Sequence, residues 1–232
     1  MPPPTGPALI KQAPPVRFDF AFAWSILPDL LRGAVVTAEA TFGGMALAMV
    51  GGLLLALARR TGRGPLAAVA RGYISAVRNT PLLVQLYFIF YVLPLAGLRF
   101  DALATGVVTL GLHYSAFLAE VYRAGIDAVP HGQWEAAQAL GLSRGDTWRG
   151  IVLPQAIPPM APVFGNFLIG MFKDTPLLAT ITIPEMFGAA EQIAGDTYRY
   201  NEPYTLVGLI FLAISYPAAL AVRGLERRFG TR

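Results

Sequence analysis

The sequence predicts an all-α integral membrane protein that crosses the bilayer five times. Three observations predict it. Charge is scarce: 55% of the 232 residues are hydrophobic and 14% are charged, against about 25% charged in a soluble domain. The apolar residues come in runs longer than a globular core needs and long enough for a hydrocarbon layer. The segments between the runs alternate between arginine-rich and acidic, the pattern of a chain threading a membrane.

Taken in order, residues 1–28 are Pro-rich (Pro2, Pro3, Pro4, Pro7, Pro14, Pro15) and read as a flexible leader. No basic stretch runs directly into an apolar core there, so a cleaved signal peptide is not expected. The first span is Gly33 to Ala58, with one charge, Glu39. At helical rise it is about 39 Å long, enough to cross with tilt. Its small residues Gly43, Gly44, Ala48, Gly51 and Gly52 would let a neighbouring helix come close. Gly64 to Val77 reads as a short amphipathic surface helix among Arg59, Arg60, Arg63, Arg71 and Arg78. The second span, Pro81 to Leu98, is aromatic, with Pro94 near its far end; Arg99 to Asp101 form a turn. The third is Ala102 to Tyr122, enclosing His113, Tyr114, Ser115 and Glu120. A polar stretch, Arg123 to Leu153, follows. The fourth crossing begins at Gln155, with Pro158, Pro159 and Pro162 expected to disturb its first turns. It is interrupted at Lys173-Asp174-Thr175-Pro176 and resumes as Leu177 to Ile183, one discontinuous crossing because each half is too short alone. Pro184 to Pro203 is polar, Tyr204 to Val222 is the fifth span, and a basic tail closes the chain.

Five arginines follow the first span, Arg123, Arg144 and Arg149 follow the third, and Arg223, Arg227, Arg228 and Arg232 follow the fifth. Asp19, Asp29, Asp101, Glu185, Glu191, Asp196 and Glu202 gather on the other face. The positive-inside rule puts the basic face in the cytoplasm, the N-terminus outside and the C-terminus inside. The expected organisation is a leader, 1–28, a transmembrane domain, 29–228, containing a cytoplasmic loop, 123–154, and a tail, 229–232. The net charge of +4 is then a sidedness and gives no reason to expect nucleic acid. With no cysteine and only His113 and His131, no metal-ligand set is expected. No G-x-x-x-x-G-K-[ST] occurs, so the chain lacks a nucleotide-binding P-loop.

The loop after the third span carries the strongest functional signal. Gln133 to Leu140 is predicted as a short helix, with Glu135 in its first turn and Gly141 just past its end, where φ is positive. Trp134, Ala137 and Leu140 form an apolar stripe on a helix outside the membrane. Such a stripe either seats in a partner's groove or packs on the ends of the chain's own spans.

Glu135-Ala136-Ala137, Gly141 and Ile151-x-Leu153-Pro154 resemble, at full spacing, the EAA loop of ABC-importer permeases. Arg78-Asn79-Thr80-Pro81-Leu82-Leu83-Val84-Gln85, Ala119-Glu120-x-Tyr122-Arg123-x-Gly125-Ile126 and Lys173-Asp174-Thr175-x-Leu177 resemble signatures of the polar amino-acid (histidine, glutamine, arginine, opine) branch. The resemblance covers roughly Leu30 to Arg228. Asn79 and Pro176 depart from it, standing where Gly and Ser are expected. The start Phe18-Asp19-Phe20-x-Phe22-x-Trp24 looks closest to permeases for ectoine and hydroxyectoine.

The resemblance implies a five-helix, type I importer-like permease core in the bacterial inner (plasma) membrane. It implies pairing with a second permease subunit, identical or homologous, docking of a separate ABC ATPase, and delivery of solute by an extracytoplasmic binding protein. ATP and magnesium would belong to the ATPase, this chain binding no cofactor. The loop would be the coupling helix, with Gln133, Trp134, Glu135, Ala136, Ala137, Leu140, Gly141, Leu153 and Pro154 as its residues. The solute would be an amino acid or an amino-acid-like zwitterion.

Ionisable and polar residues at membrane depth are the candidate solute path. Glu39 either faces the path or reaches outer water from an interfacial position. His113, Tyr114 and Ser115 line the path or bond between helices. Glu120 is expected to pair with Arg123 at i,i+3. Lys173 and Asp174 break an apolar region beside Pro176, which disfavours helix at Thr175; they line a solute site or hold a structural gate. Asn166 shares their helix face. The rival reading is a stand-alone secondary transporter, which would show internal repeats; none is visible.

Overall fold

The computed structural model describes residues 17–60, 62 and 64–229. Most of the expected leader, 1–16, and the tail residues 230–232 lie outside the described residues. Among the described residues there are helices and no strands.

Helix α1, Phe20–Arg60, starts inside the expected leader and well before Gly33. The reason is local: Asp19 Oδ1 accepts from the backbone N–H groups of Ala21 and Phe22 and caps the helix. Pro28 sits within it. After Gly62, whose φ is +94°, comes α2, Pro65–Arg78, the predicted amphipathic helix. The second span is α3, Leu82–Tyr87, continued by a π-helical stretch, Phe88–Val92, and a 3-10 turn, Leu93–Ala96. It is too short to count as a crossing alone; α2 and this run together, bent by 111°, make the fifth candidate beside four longer apolar helices.

The contacts of α1 with α4, Ala102–Asp127, settle which way the chain runs. Gly43 lies by Val107, Gly44 by Leu110, Gly51 by Ser115 and Gly52 by Leu118, so the two helices are parallel. The chain must therefore return between them, and α2 with the α3 run is the path back. The close approach depends on glycine: a Cβ on Gly52 would lie 2.9 Å from Leu118 Cβ, and one on Gly111 2.6 Å from Leu47 Cβ.

Past α4 come α5, His131–Ala139, and α6, Arg144–Thr147, then a π-helical stretch, Trp148–Val152, leading into α7, Leu153–Asp174. Two expectations fail here. Pro158, Pro159 and Pro162 lie inside an α-helix that runs through them, although each lacks the N–H its turn would use. Thr175 is helical (φ −58°, ψ −29°), and Thr175–Ile181 continues the axis as a 3-10 helix. The interruption at Lys173-Asp174 is a tightening of the helix, which accommodates Pro176 at its start.

Pro184 to Pro203 is more than a polar loop. It holds α8, Met186–Thr197, capped by Glu185, whose side chain accepts from Gly188 N–H at 2.7 Å. The last helix, α9, is Asn201–Phe229. Helices α4 and α7 are antiparallel, with Tyr114 by Asp174 and Gly125 by Met160. Leu86, Leu110, Leu118, Met171, Leu178 and Ile181 fill the core between α1, α3, α4 and α7.

Candidate functional site

Helix α5 sits at the arginine-rich end, held by its back. Trp134 packs edge-on against Trp148, ring centres 5.5 Å apart. It also joins a cluster of Ile126, Val129, Val152, Ala156 and Met160. Ala137 is 1% exposed, whereas Leu140 is 77% exposed. The predicted stripe is thus split: Trp134 packs on the chain's own α4–α7 junction, Ala137 is buried, and Leu140 is exposed. Gln133, Glu135, Ala136 and Gly141 are exposed with it. Glu135 is not in the first turn as expected, because the helix starts two residues early, with Pro130 as its N-cap. Gly141 has φ +66°, as its position demands. Leu153 and Pro154 open α7 and are exposed; the residues of this stretch in the cluster with Trp134 are Val152 and Ala156.

Beside α5, Glu120 receives hydrogen bonds from Arg59 and from Arg123 Nε, the latter at 2.9 Å. Arg78 lies 3.9 Å away. Asp127 accepts from Arg60 at 3.2 Å and Arg123 at 3.1 Å. The Arg60 guanidinium also lies over the Trp148 ring, 5.7 Å from its centre. The end of α1, the end of α4 and the α5–α7 junction are joined by these charges.

Between α4 and α7 lies a cavity of about 330 Å³ lined by His113, Tyr114, Phe117, Asn166, Phe167 and Gly170. Tyr114 OH donates to Asp174 Oδ2 at 2.7 Å. His113 Nδ1 lies 3.1 Å from Gln85 Oε1. Gln85 Nε2 donates to the Val77 and Thr80 carbonyls, fixing the turn between α2 and α3. Asn79 fits that turn without a positive φ (−103°), so Gly is not needed there. Asn166 Nδ2 donates to Glu226 Oε1 on α9 at 3.0 Å. Among the described residues only α4 and α7 line this cavity, and they do not enclose it.

The sequence candidates therefore divide. His113, Tyr114 and Asn166 line one cavity, and Asp174 is bound to it through Tyr114. Ser115 faces the other way: its hydroxyl donates to Leu112 O and meets Tyr73 OH at 3.2 Å, with Gly51 packed on its Cβ. Lys173 is exposed outside the cavity lining, and Glu39 is exposed on α1.

A buried carboxylate was missed in the sequence. Glu185 is 0% exposed and accepts from Thr37 Oγ1 at 3.1 Å, while Thr37 Oγ1 accepts from Met186 N–H. Burial pushes its acid group above the ordinary carboxylate range, against the pull of its hydrogen bonds. Gly33 makes room: a Cβ there would lie 2.8 Å from Met186 Cα. A glutamate before a run with apolar residues at helical spacing (Met186, Phe187, Ala190, Ile193, Ala194) was the available signal.

Residues 48–231 match the family described as binding-protein-dependent transport system inner membrane component. The chain is 44% identical over 205 residues to a probable amino-acid ABC transporter permease protein of Sinorhizobium fredii, covering 88% of this chain and 89% of that one. It is 35% identical over 215 residues to the glutamine transport system permease protein of Escherichia coli K12, covering 92% and 98%. Its fold superposes on a solved amino acid ABC transporter, crystallised with histidines, at a TM-score of 0.84 and 34% identity, covering 91% of this chain and 99% of that one.

Proposed function

The chain belongs to the binding-protein-dependent transport system inner membrane components and has the type I importer fold, and from that premise we propose how it couples ATP to solute movement. It is a permease subunit of an ABC transporter, not an enzyme. The observation that carries the coupling is the two-sidedness of α5. Its exposed face (Glu135, Ala136, Leu140) is free to seat in a groove of an ABC ATPase, and on its inner face Ala137 is buried and Trp134 bears on the start of α7 through Val152 and Ala156. A push on the exposed face moves Trp134 and Trp148 together, and with them Leu153, Pro154 and the rest of α7. That helix carries Asn166 and Gly170 of the cavity and Asp174 behind Tyr114. ATP, with magnesium, is bound and hydrolysed by the partner ATPase; its closure rocks α7 against α4 and switches the cavity between the two sides of the membrane.

The half-open cavity is completed by a second permease subunit. His113, Asn166 and the Tyr114–Asp174 pair offer donors and acceptors for a zwitterion, an amino acid or an amino-acid-like solute such as ectoine, handed over by an extracytoplasmic binding protein. Lys173 and Glu39, both exposed and outside the cavity lining, steer charge near the path. The arginine-rich end faces the cytoplasm and α1 begins outside, in a bacterial inner membrane. Residues 29–228 are the permease domain, with 123–154 as its coupling loop.

The test is reconstitution with the ATPase and binding protein in lipid vesicles, offering L-glutamine and ectoine. Uptake should require ATP. Uptake by this chain alone, driven by an ion gradient, would establish the secondary-transporter reading instead.

A further inference from the structure

A second cavity lies below the first on the same face of α4. It has a volume of about 460 Å³, and its polar wall is Arg59, Arg71, Ser75, Arg78, Asn79 and Glu120. His113, Phe117 and Glu120 are spaced four and three apart, so they form one row along the helix. Phe117 stands in the wall of both cavities. The Arg78 guanidinium rests on its ring, 5.4 Å from the centre.

The wall carries more positive charge than it neutralises. Among the described residues Glu120 is its one carboxylate, and both oxygens are occupied, one by Arg59 and the other by Arg123. Arg78 pairs with Glu120 only at 3.9 Å, and Arg71 makes a 3.4 Å bond to the Gly62 carbonyl. Three guanidiniums to one carboxylate leave the wall net positive, and Arg71 and Arg78, held by these long contacts, can turn to an anion; guanidinium geometry suits a carboxylate.

The position of these arginines separates a solute from a lipid. Ala67, Ala70 and Ile74 are the buried stripe of α2. Leu66, Val69 and Tyr73 lie on one flank of that stripe, lining an apolar groove with the end of α1. Arg71, Ser75 and Arg78 lie on the other flank, the one shared with Phe117. The lipid-like side and the arginine side are opposite sides of one helix.

We propose that the lower cavity is an exit seat for the carboxylate of the transported solute, with Phe117 dividing it from the cavity above. This rests on the permease reading. The solute leaves the zone of His113, Tyr114 and Asn166, passes the Phe117 ring, and is held briefly by Arg71 and Arg78 before release at the arginine-rich end.

The absence of cysteine gives a direct probe. Ser75→Cys, in the assembled transporter with a cysteine-free ATPase and in phosphatidylcholine nanodiscs, places one thiol in the seat. Its rates of reaction with an anionic and a cationic methanethiosulfonate are compared. The anionic reagent should be favoured, and Arg71→Gln or Arg78→Gln should lower that preference by about three- to fivefold each. Arg71→Gln keeps the test valid if Arg78→Gln misfolds. L-Glutamine should slow the anionic reagent, and L-glutaminamide, lacking the carboxylate, should not. A preference unchanged in both variants, or equal protection by the two compounds, would overturn the seat. So would protection by phosphatidylglycerol with none by L-glutamine, which would make the cavity a lipid-headgroup site. ATP-driven uptake is scored on the same preparation: absent uptake with intact arginine-dependent protection would count against the permease reading and leave the anion seat standing.

Discussion

Two carboxylates hold the two ends of this bundle in opposite ways. Glu185, at the acidic end, is fully buried and satisfied by neutral donors, Thr37 Oγ1 and Gly188 N–H. Glu120, at the arginine-rich end, is 24% exposed at its side chain and ringed by Arg59, Arg123 and Arg78. A buried carboxylate with fixed, uncharged partners makes a rigid joint, because breaking it strands polar groups without water. A partly solvated carboxylate among several arginines can exchange one partner for another at small cost. Under the proposed coupling, the α1–α8 joint is the still end, and the ends of α1, α2 and α4 around Glu120 are the moving end.

The largest expected effect breaks the comparison at the moving end. Leu140→Asp, on the exposed face of α5, should abolish ATP-driven uptake, a loss of at least about 2 kcal/mol in ATPase docking, with the melting temperature of the permease unchanged. Ala137→Asp, one turn back and buried, should instead prevent a stable fold. At the still end, Glu185→Ala should cost about 2–3 kcal/mol by orphaning Gly188 N–H and the Thr37 hydroxyl, read as a lowered melting temperature in detergent. Glu120→Gln should cost about 1 kcal/mol or less, since its ion pairs are partly screened. It should nonetheless make uptake less sensitive to salt than the parent. An effect on melting larger than that of Glu185→Ala would reverse the assignment of still and moving ends.

The smallest effects are in pH. Glu185 is raised by burial, so the folded chain holds its proton longer than the unfolded one. Its contribution is most favourable at acid pH and declines as pH rises through the ordinary carboxylate range to the raised folded value. Glu185→Gln should remove that decline. Asp19 is lowered, first by the Phe22 N–H it accepts from and then by Arg199, 2.9 Å away. Its contribution is present above the ordinary range and lost as pH falls through the depressed folded value. Asp19→Asn should flatten that acid limb, measured by melting temperature against pH.

Much of this was legible in the sequence, for definite reasons. Hydropathy and arginine placement show the long spans because a bilayer imposes both. The glycines of α1 predict a close neighbour because only small side chains allow one, and Gly141 predicts a positive φ because few other residues accept it. What stayed hidden depends on partners distant in sequence. The start of α1 at Phe20 is set by the Asp19 cap, and α8 is set by Glu185 finding Thr37, 148 residues away. The Tyr114–Asp174 bond likewise spans 60 residues. The exposure of Leu140 beside the burial of Ala137 follows from how α5 leans on Trp148, which no helical period encodes.

The proposed seating of the ATPase on the exposed face of α5 can be tested by a crosslink. Ala139, exposed on that face, can be changed to Cys in this cysteine-free chain and labelled with a photo-crosslinker in the assembled transporter. A crosslink to the ATPase chain is expected, and it should disappear when Leu140→Asp is added. Crosslinking only to lipid or to the second permease, with ATP-driven uptake intact, would contradict that seating.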